Sequence, residues 1–225
     1  MARMRIDPAG LPFVVGALAI GLVAGALVHW WFAPPFLVIG TFFLFFFRDP
    51  DRRADADPNP DPAVVLAPAD GRVLVAGPAL PEAAPPGAAW QQVSIFLSPM
   101  DVHVNRVPVS GRITRVTYTP GRFLPAYRPD AGAVNERSEI WIDHDGLAVV
   151  VRQIVGMLAR RVVCRVAKGA TVRAGDRYGI MKFGSRMDVF LPRSAEIRVG
   201  VGDVVRGGET VIAMVHSPDV GSRDL

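Results

Sequence analysis

Two long apolar runs crowd the first fifty residues, and short alternating runs fill the rest of the chain. Residues 11–33 read LPFVVGALAIGLVAGALVHWWFA and carry no formally charged side chain. At a helical rise they are long enough to cross a bilayer. Pro34 and Pro35 are expected to break that helix. Residues 36–47, FLVIGTFFLFFF, are also apolar but short for a full crossing. Arg3 and Arg5 flank one side, and Arg48, Arg52 and Arg53 the other. Basic residues at both ends predict an α-helical membrane hairpin over residues 1–48 that enters and leaves from the cytoplasmic side, with the remaining chain on that side of the cell membrane. His29, Trp30 and Trp31 have interfacial character. A cleaved signal peptide fits less well: the run is too long, and no small-residue cleavage site stands out before Pro34.

Residues 49–62, DPDRRADADPNPDP, lack an apolar face and read as a Pro/Asp-rich exposed linker. The body is expected to occupy residues 63–225. Strand-like runs fall at 64–66, 72–75, 93–97, 112–118, 139–142, 147–155, 161–166, 187–191, 196–199 and 210–215, rich in Val and Ile and punctuated by Gly, Pro and Asp. No long helical period follows the anchor. The fold class is therefore mainly β, a compact sandwich-like or barrel-like domain behind an N-terminal helical hairpin. The stretch Thr171-Val172-Arg173-Ala174-Gly175-Asp176 echoes Gly200-Val201-Gly202-Asp203-Val204-Val205. Two related hairpins packed together would explain this, and the pattern is similar to biotinyl and lipoyl carrier domains. Met181-Lys182 then makes Lys182 a candidate for cofactor attachment.

Composition narrows the function classes. The formal net charge is +4, and arginine far outnumbers lysine. This suits either a solvated surface or attraction to anionic lipid headgroups. No basic–aromatic pattern points to nucleic acid. The single cysteine, Cys164, excludes an internal disulfide and a cysteine-based zinc site, and is expected to be a buried thiol. The histidines and carboxylates show no metal-ligand spacing, so no metal is expected.

The sharpest chemical signal is Phe183-Gly184-Ser185-Arg186-Met187. A serine hydroxyl can attack the preceding glycyl carbonyl to give an ester. Elimination leaves dehydroalanine, and loss of ammonia leaves a pyruvoyl group on the new N-terminus. Such a ketone is an electron sink for amino-acid decarboxylation. Gly-Ser pairs are also common in ordinary turns.

Four separated stretches carry a resemblance: Pro68-Ala69-Asp70-Gly71; Phe96-Leu97-Ser98-Pro99-Met100-Asp101-Val102-His103-Val104-Asn105-Arg106-Val107-Pro108; Gln153-Ile154-Val155-Gly156; and Lys182-Phe183-Gly184-Ser185-Arg186-Met187-Asp188. Their order and spacing resemble the pyruvoyl-dependent phosphatidylserine decarboxylases, in their compact bacterial and archaeal form. The resemblance implies cleavage between Gly184 and Ser185 into chains 1–184 and 185–225, which stay together as a heterodimer. It implies a covalent pyruvoyl cofactor from Ser185, a Schiff base with the substrate amine, and a phospholipid substrate at a membrane. It implies His103 as base or proton donor and Asp70 as its orienting carboxylate. Longer members place a second histidine where this chain has Arg106. Arg106, Arg122 and Arg186 become candidates for the substrate phosphate or carboxylate, since guanidinium pairs bidentately with both. The loop at residues 121–127 becomes a candidate contact for acyl chains, and His144 and His216 receive no role. Decarboxylation of a related serine phospholipid, a carrier or adaptor module modified at Lys182, and a non-enzymatic membrane-tethered scaffold are the alternatives.

Overall fold

The structure, a computed structural model, describes residues 4–52, 63–157, 162–182 and 184–216. The chain starts with β1 (Met4–Ile6), a 3-10 turn at Pro8–Gly10, and α1 (Leu11–Leu27). A second 3-10 turn at Trp30–Phe32 leads into α2 (Ala33–Phe46), which ends in β2 (Arg48–Pro50). The first helix stops at Leu27, earlier than the apolar run suggests, and Pro34 and Pro35 begin the second helix rather than break the first. The physical reason is that the first turn of a helix has no intrahelical use for the amide that proline lacks. Small residues let the two helices approach: a Cβ at Gly21 would press on Phe36. Residues Pro8–Leu27 form a helical stretch long and apolar enough to cross a membrane, and Trp30–Phe46 is a shorter apolar one.

The body comprises β3 (Ala63–Leu66), β4 (Gly71–Pro78), β5 (Trp90–Leu97), β6 (Val104–Arg106), β7 (Gly111–Thr119), the short α3 (Ala131–Val134), β8 (Arg137–His144), β9 (Leu147–Val155), β10 (Val162–Cys164), β11 (Thr171–Val172), β12 (Arg177–Met181), β13 (Ser185–Pro192), β14 (Glu196–Ile197), β15 (Val204–Val205) and β16 (Val211–Val215). Every strand-like run of the sequence lies in or beside one of these. The alternation missed the two-to-five-residue strands β6, β11, β12 and β15, too short to show a period. Eight strands form one antiparallel sheet in the order β11-β7-β8-β9-β13-β5-β4-β15, flanked by three-stranded sheets β10-β12-β6 and β14-β16-β3. The main core runs across all three sheets, from Val65 and Ile95 to Val151, Met181, Val189 and Ile212. Burial of such aliphatic side chains at about 25 cal/mol per Å² is the chief favourable term in folding.

The internal echo is real at the level of the turn. The Asp176 carboxylate accepts from the Arg173 amide, and the Asp203 carboxylate accepts from the Gly200 amide. The two segments nevertheless sit at opposite edges of the large sheet, β11 against β7 and β15 against β4. Cys164 is half-buried at the end of β10 rather than fully enclosed.

The base of the hairpin is joined to the body by charge and by packing. Asp7 takes both terminal nitrogens of the Arg165 guanidinium, at 2.6 and 2.7 Å. Asp49 is buried and pairs with Arg106 and Arg177, while Asp51 pairs with Arg177. Residues 49–52 are thus paired rather than loosely exposed, and residues 53–62 lie outside the described residues. Phe46 and Phe47 are fully enclosed with Val102, Val104 and Ile180 in a second core.

Candidate active site at one end of the sheet

Strand β13 lies between β5 and β9 and runs antiparallel to both. Its first residue, Ser185, therefore pairs with Leu97, the last residue of β5, and with Val155, the last residue of β9. Strand β8 starts at the same end, with Arg137 opposite Ile154. One edge of the body thus gathers the Gly184–Ser185 bond, the turn at residues 98–103, Gly156, and the connection at residues 120–136. The four motifs of the sequence meet in this region, except for Phe183, which lies outside the described residues.

Ser185 is fully buried, and its Oγ makes no hydrogen bond among the described residues. A buried hydroxyl without a partner is costly, about 1–3 kcal/mol, and such groups call for a chemical explanation. Gly184 has φ 71°, a left-handed conformation that disfavours any side chain. Its carbonyl lies against Gly156.

His103 precedes β6 and is enclosed. Its Nδ1 donates to the Asp101 carbonyl at 3.0 Å, which leaves Nε2 with the lone pair. The Gly184 amide points at that Nε2 from 3.5 Å, a long contact. Burial pushes the His103 pKa down to about 4, against the opposing pull of the Asp101 carbonyl. The imidazole is therefore neutral at pH 7. Phe46 covers it, with ring centroids 4.0 Å apart.

The direct Asp70–His103 hydrogen bond that serine-protease logic suggests is not formed. Asp70 sits in the turn after β3, and the Arg52 guanidinium takes both of its carboxylate oxygens, one at 2.7 Å. The Gly207 amide donates to the same carboxylate at 2.8 Å. Asp70 acts on His103 only through space, raising its proton affinity, while Arg48 lowers it.

The three candidate arginines occupy different settings. Arg106 is buried and donates to Asp49 and to the carbonyls of Pro50 and Gly175. Arg186 is buried and grips Asp188 through Nε at 2.6 Å and a terminal nitrogen at 3.0 Å, with Ser94 Oγ beside it. Arg122 is exposed, forms no ion pair among the described residues, and lies in the connection over this end of the sheet. His144 Nδ1 donates to the Ser110 carbonyl at 2.8 Å, far along β8 from Ser185. Lys182 is half-buried, with Nζ over the Phe13 ring at 4.8 Å. No cluster of three metal-ligating side chains occurs among the described residues.

Sequence reasoning missed Phe46, Arg48, Arg52 and Asn135. Arg48 donates to the carbonyls of Phe45 and Met100 and so ties the end of α2 to the His103 turn. Buried Asn135 donates to the carbonyls of Leu124 and Val155 and accepts from the Leu124 amide, closing the 121–135 connection onto the end of β9. A phenylalanine in an apolar run and an arginine in a charged run carry no local mark of such roles.

Known proteins supply an independent comparison. Residues 39–213 match the family model described as phosphatidylserine decarboxylase. A protein of Granulibacter bethesdensis named phosphatidylserine decarboxylase proenzyme is 44% identical over 215 residues, covering 92% of this chain and 84% of the relative. Proteins of the same name from Nitrosomonas europaea and Salinibacter ruber are 42% and 43% identical. The first alignment covers 92% of this chain and 94% of the relative. The second covers 89% and 90%.

Proposed function

This chain belongs to the phosphatidylserine decarboxylase family, and from that premise we propose that it is a proenzyme that cuts itself between Gly184 and Ser185 and then decarboxylates phosphatidylserine to phosphatidylethanolamine. The observation that carries the reading is the buried Ser185 hydroxyl, without a partner among the described residues, directly after a left-handed glycine. In the first step the Ser185 Oγ–H proton is removed and Oγ bonds to the Gly184 carbonyl carbon. The C–N bond then breaks, leaving an ester and a free Ser185 amine. Loss of the Ser185 α-proton expels the Gly184 carboxylate and leaves dehydroalanine. Water then replaces the amine, ammonia departs, and a pyruvoyl group remains at position 185.

The neutral His103 Nε2 is suited to hold a proton in this chemistry, because its other nitrogen is committed to a carbonyl. In the uncut chain the enclosure of Ser185 and His103 keeps bulk water from the Gly184–Ser185 peptide. Residues fit to hold the ketone are those already around Ser185: strands β5 and β9 on either side, with Gly156 and His103 at its end. When formed, the ketone supplies an electron sink for loss of carbon dioxide from an amine-bearing substrate.

The setting suits a lipid headgroup. The helical hairpin leaves the body beside this same end of the sheet, since Arg48 at its base touches Met100 in the His103 turn. Exposed Met100, Phe123, Tyr127 and Met157 stand around the site on the same edge. Exposed Arg122 is the one of the three candidate arginines suited to an incoming phosphate or carboxylate. With the hairpin in the bilayer and basic residues at its base, the body lies on the cytoplasmic face.

The test is a denaturing gel with intact-mass measurement of wild-type protein and Ser185→Ala. Wild type is expected as two chains, the smaller blocked by a ketone, and the variant as one. A wild-type protein that stays uncut yet releases carbon dioxide from phosphatidylserine overturns the reading.

A further inference from the structure

The second helix of the hairpin ends against the candidate base. Phe46 is the last residue of α2, both it and His103 are fully enclosed, and their rings lie 4.0 Å apart with planes 32° from parallel. We infer that Phe46 is a positioning residue for His103, so that the membrane hairpin completes the reactive end of the sheet as well as anchoring it. The inference rests on the role of His103 proposed above.

The geometry leaves the imidazole little freedom. Its Nδ1 is tied to the Asp101 carbonyl, its backbone carbonyl accepts from the Met181 amide at 3.2 Å, and Phe46 closes one face. Rotation of the ring away from Gly184 would have to displace Phe46. Phe46 is itself held edge-on by Phe47 at 5.0 Å, and Phe47 stacks on Phe13 of α1 at 5.4 Å. The aromatic chain therefore runs from the first helix to the reactive end. A second route is polar: Arg48 follows Phe46 by two residues and donates 2.7 Å to the Met100 carbonyl, three residues before His103.

The ring also sets the proton affinity of His103 by excluding water. The charged groups that face the imidazole are Arg48 from the base of the hairpin and Asp70 from the turn after β3, of opposite sign. Asp101 faces it with its carbonyl, while its carboxylate accepts from the Ser98 amide at 2.7 Å. Removing Phe46 would admit water and bring the imidazole toward its ordinary titration near pH 6.5.

The experiment uses the full chain in detergent micelles or lipid nanodiscs, carrying Ser185→Ala so that no cleavage intervenes. Histidine ring carbons are labelled, and the His103 signal is assigned by its loss in His103→Gln. In the parent the His103 midpoint is expected near 4. In Phe46→Ala it is expected to rise by about one to two pH units. In Phe46→Leu, which keeps an apolar cover of smaller area, a smaller rise is expected; it stands in if the alanine variant does not fold. Val38→Ala, on the exposed side of α2, is expected to leave the midpoint unchanged. In Ser185-containing protein, Phe46→Leu is expected to slow maturation several-fold and to shift its pH profile by the same amount as the midpoint. An unchanged midpoint and profile in folded Phe46→Leu, with unchanged signals from the other histidines, would overturn the inference. Normal maturation and decarboxylation by His103→Gln would instead overturn the role of His103, whatever the titration shows.

Discussion

Gly156 lies directly against the carbonyl oxygen of Gly184. A Cβ built on Gly156 would overlap that oxygen and crowd its carbonyl carbon, and the nearest atom outside Gly184 is the Cβ of Ala126. The end of β9 and the peptide ahead of β13 can therefore meet only where one residue has no side chain. Both glycines matter, for different reasons: Gly156 for close approach, and Gly184 for its φ of 71°.

Gly156→Ala should thus push the Gly184–Ser185 peptide out of place without disturbing the distant core. The expected outcome is a folded, largely uncut proenzyme. Hydroxylamine, which traps an ester if one forms, is expected to release little of the smaller chain. Rapid self-cleavage of this variant, followed on a denaturing gel, would show that the contact has no part in maturation.

The pH dependence follows from His103. Its folded pKa lies near 4, below the ordinary value near 6.5, so between these limits the unfolded chain binds more protons. The stabilising contribution of the buried neutral ring is complete above pH 6.5 and is lost as pH falls toward 4. The displacement corresponds to about 3 kcal/mol at most. Chemical denaturation of Ser185→Ala at pH 7 and pH 4.5 should show a decline that His103→Gln reduces. Equal declines in both proteins would assign the acid sensitivity to other groups.

Arg186 and Arg122 should respond differently to removal. Arg186→Ala leaves Asp188 buried without its guanidinium, a change expected to cost about 3–5 kcal/mol of stability. Arg186→Met with Asp188→Leu should recover much of that loss. Arg122→Ala, at an exposed position, is expected to change stability by less than about 0.5 kcal/mol and to raise KM with little effect on kcat. Thermal melting and steady-state kinetics on phosphatidylserine vesicles separate the two. An Arg122→Ala enzyme with unchanged KM would remove that residue from substrate binding.

Arg52 and Asp70 form a nearly enclosed pair, with Gly207 as a third partner. Arg52→Ala is expected to cost about 3 kcal/mol and to slow maturation as much as Asp70→Asn does, because each frees the same turn. If Asp70→Asn abolishes cleavage while Arg52→Ala leaves it intact, Asp70 acts on the chemistry directly rather than through the turn.

The sequence alone determined the elements that local pattern controls. Apolar runs marked the hairpin, valine-rich runs marked the strands longer than five residues, and the Gly-Ser pair with its companion motifs marked the family. Each of these depends on neighbours in the chain, which a linear reading contains. The tertiary structure decided what depends on distant partners. It placed Pro34 and Pro35 at the start of a helix, gave Asp70 to Arg52 instead of His103, and buried Arg186 and Arg106 as ion-pair partners. It also brought Phe46 onto His103 across a sequence separation that no periodicity spans. A side chain's hydrogen-bond partner and its access to water are properties of the folded surface around it, and they become fixed only when the sheet closes and the hairpin packs against its end.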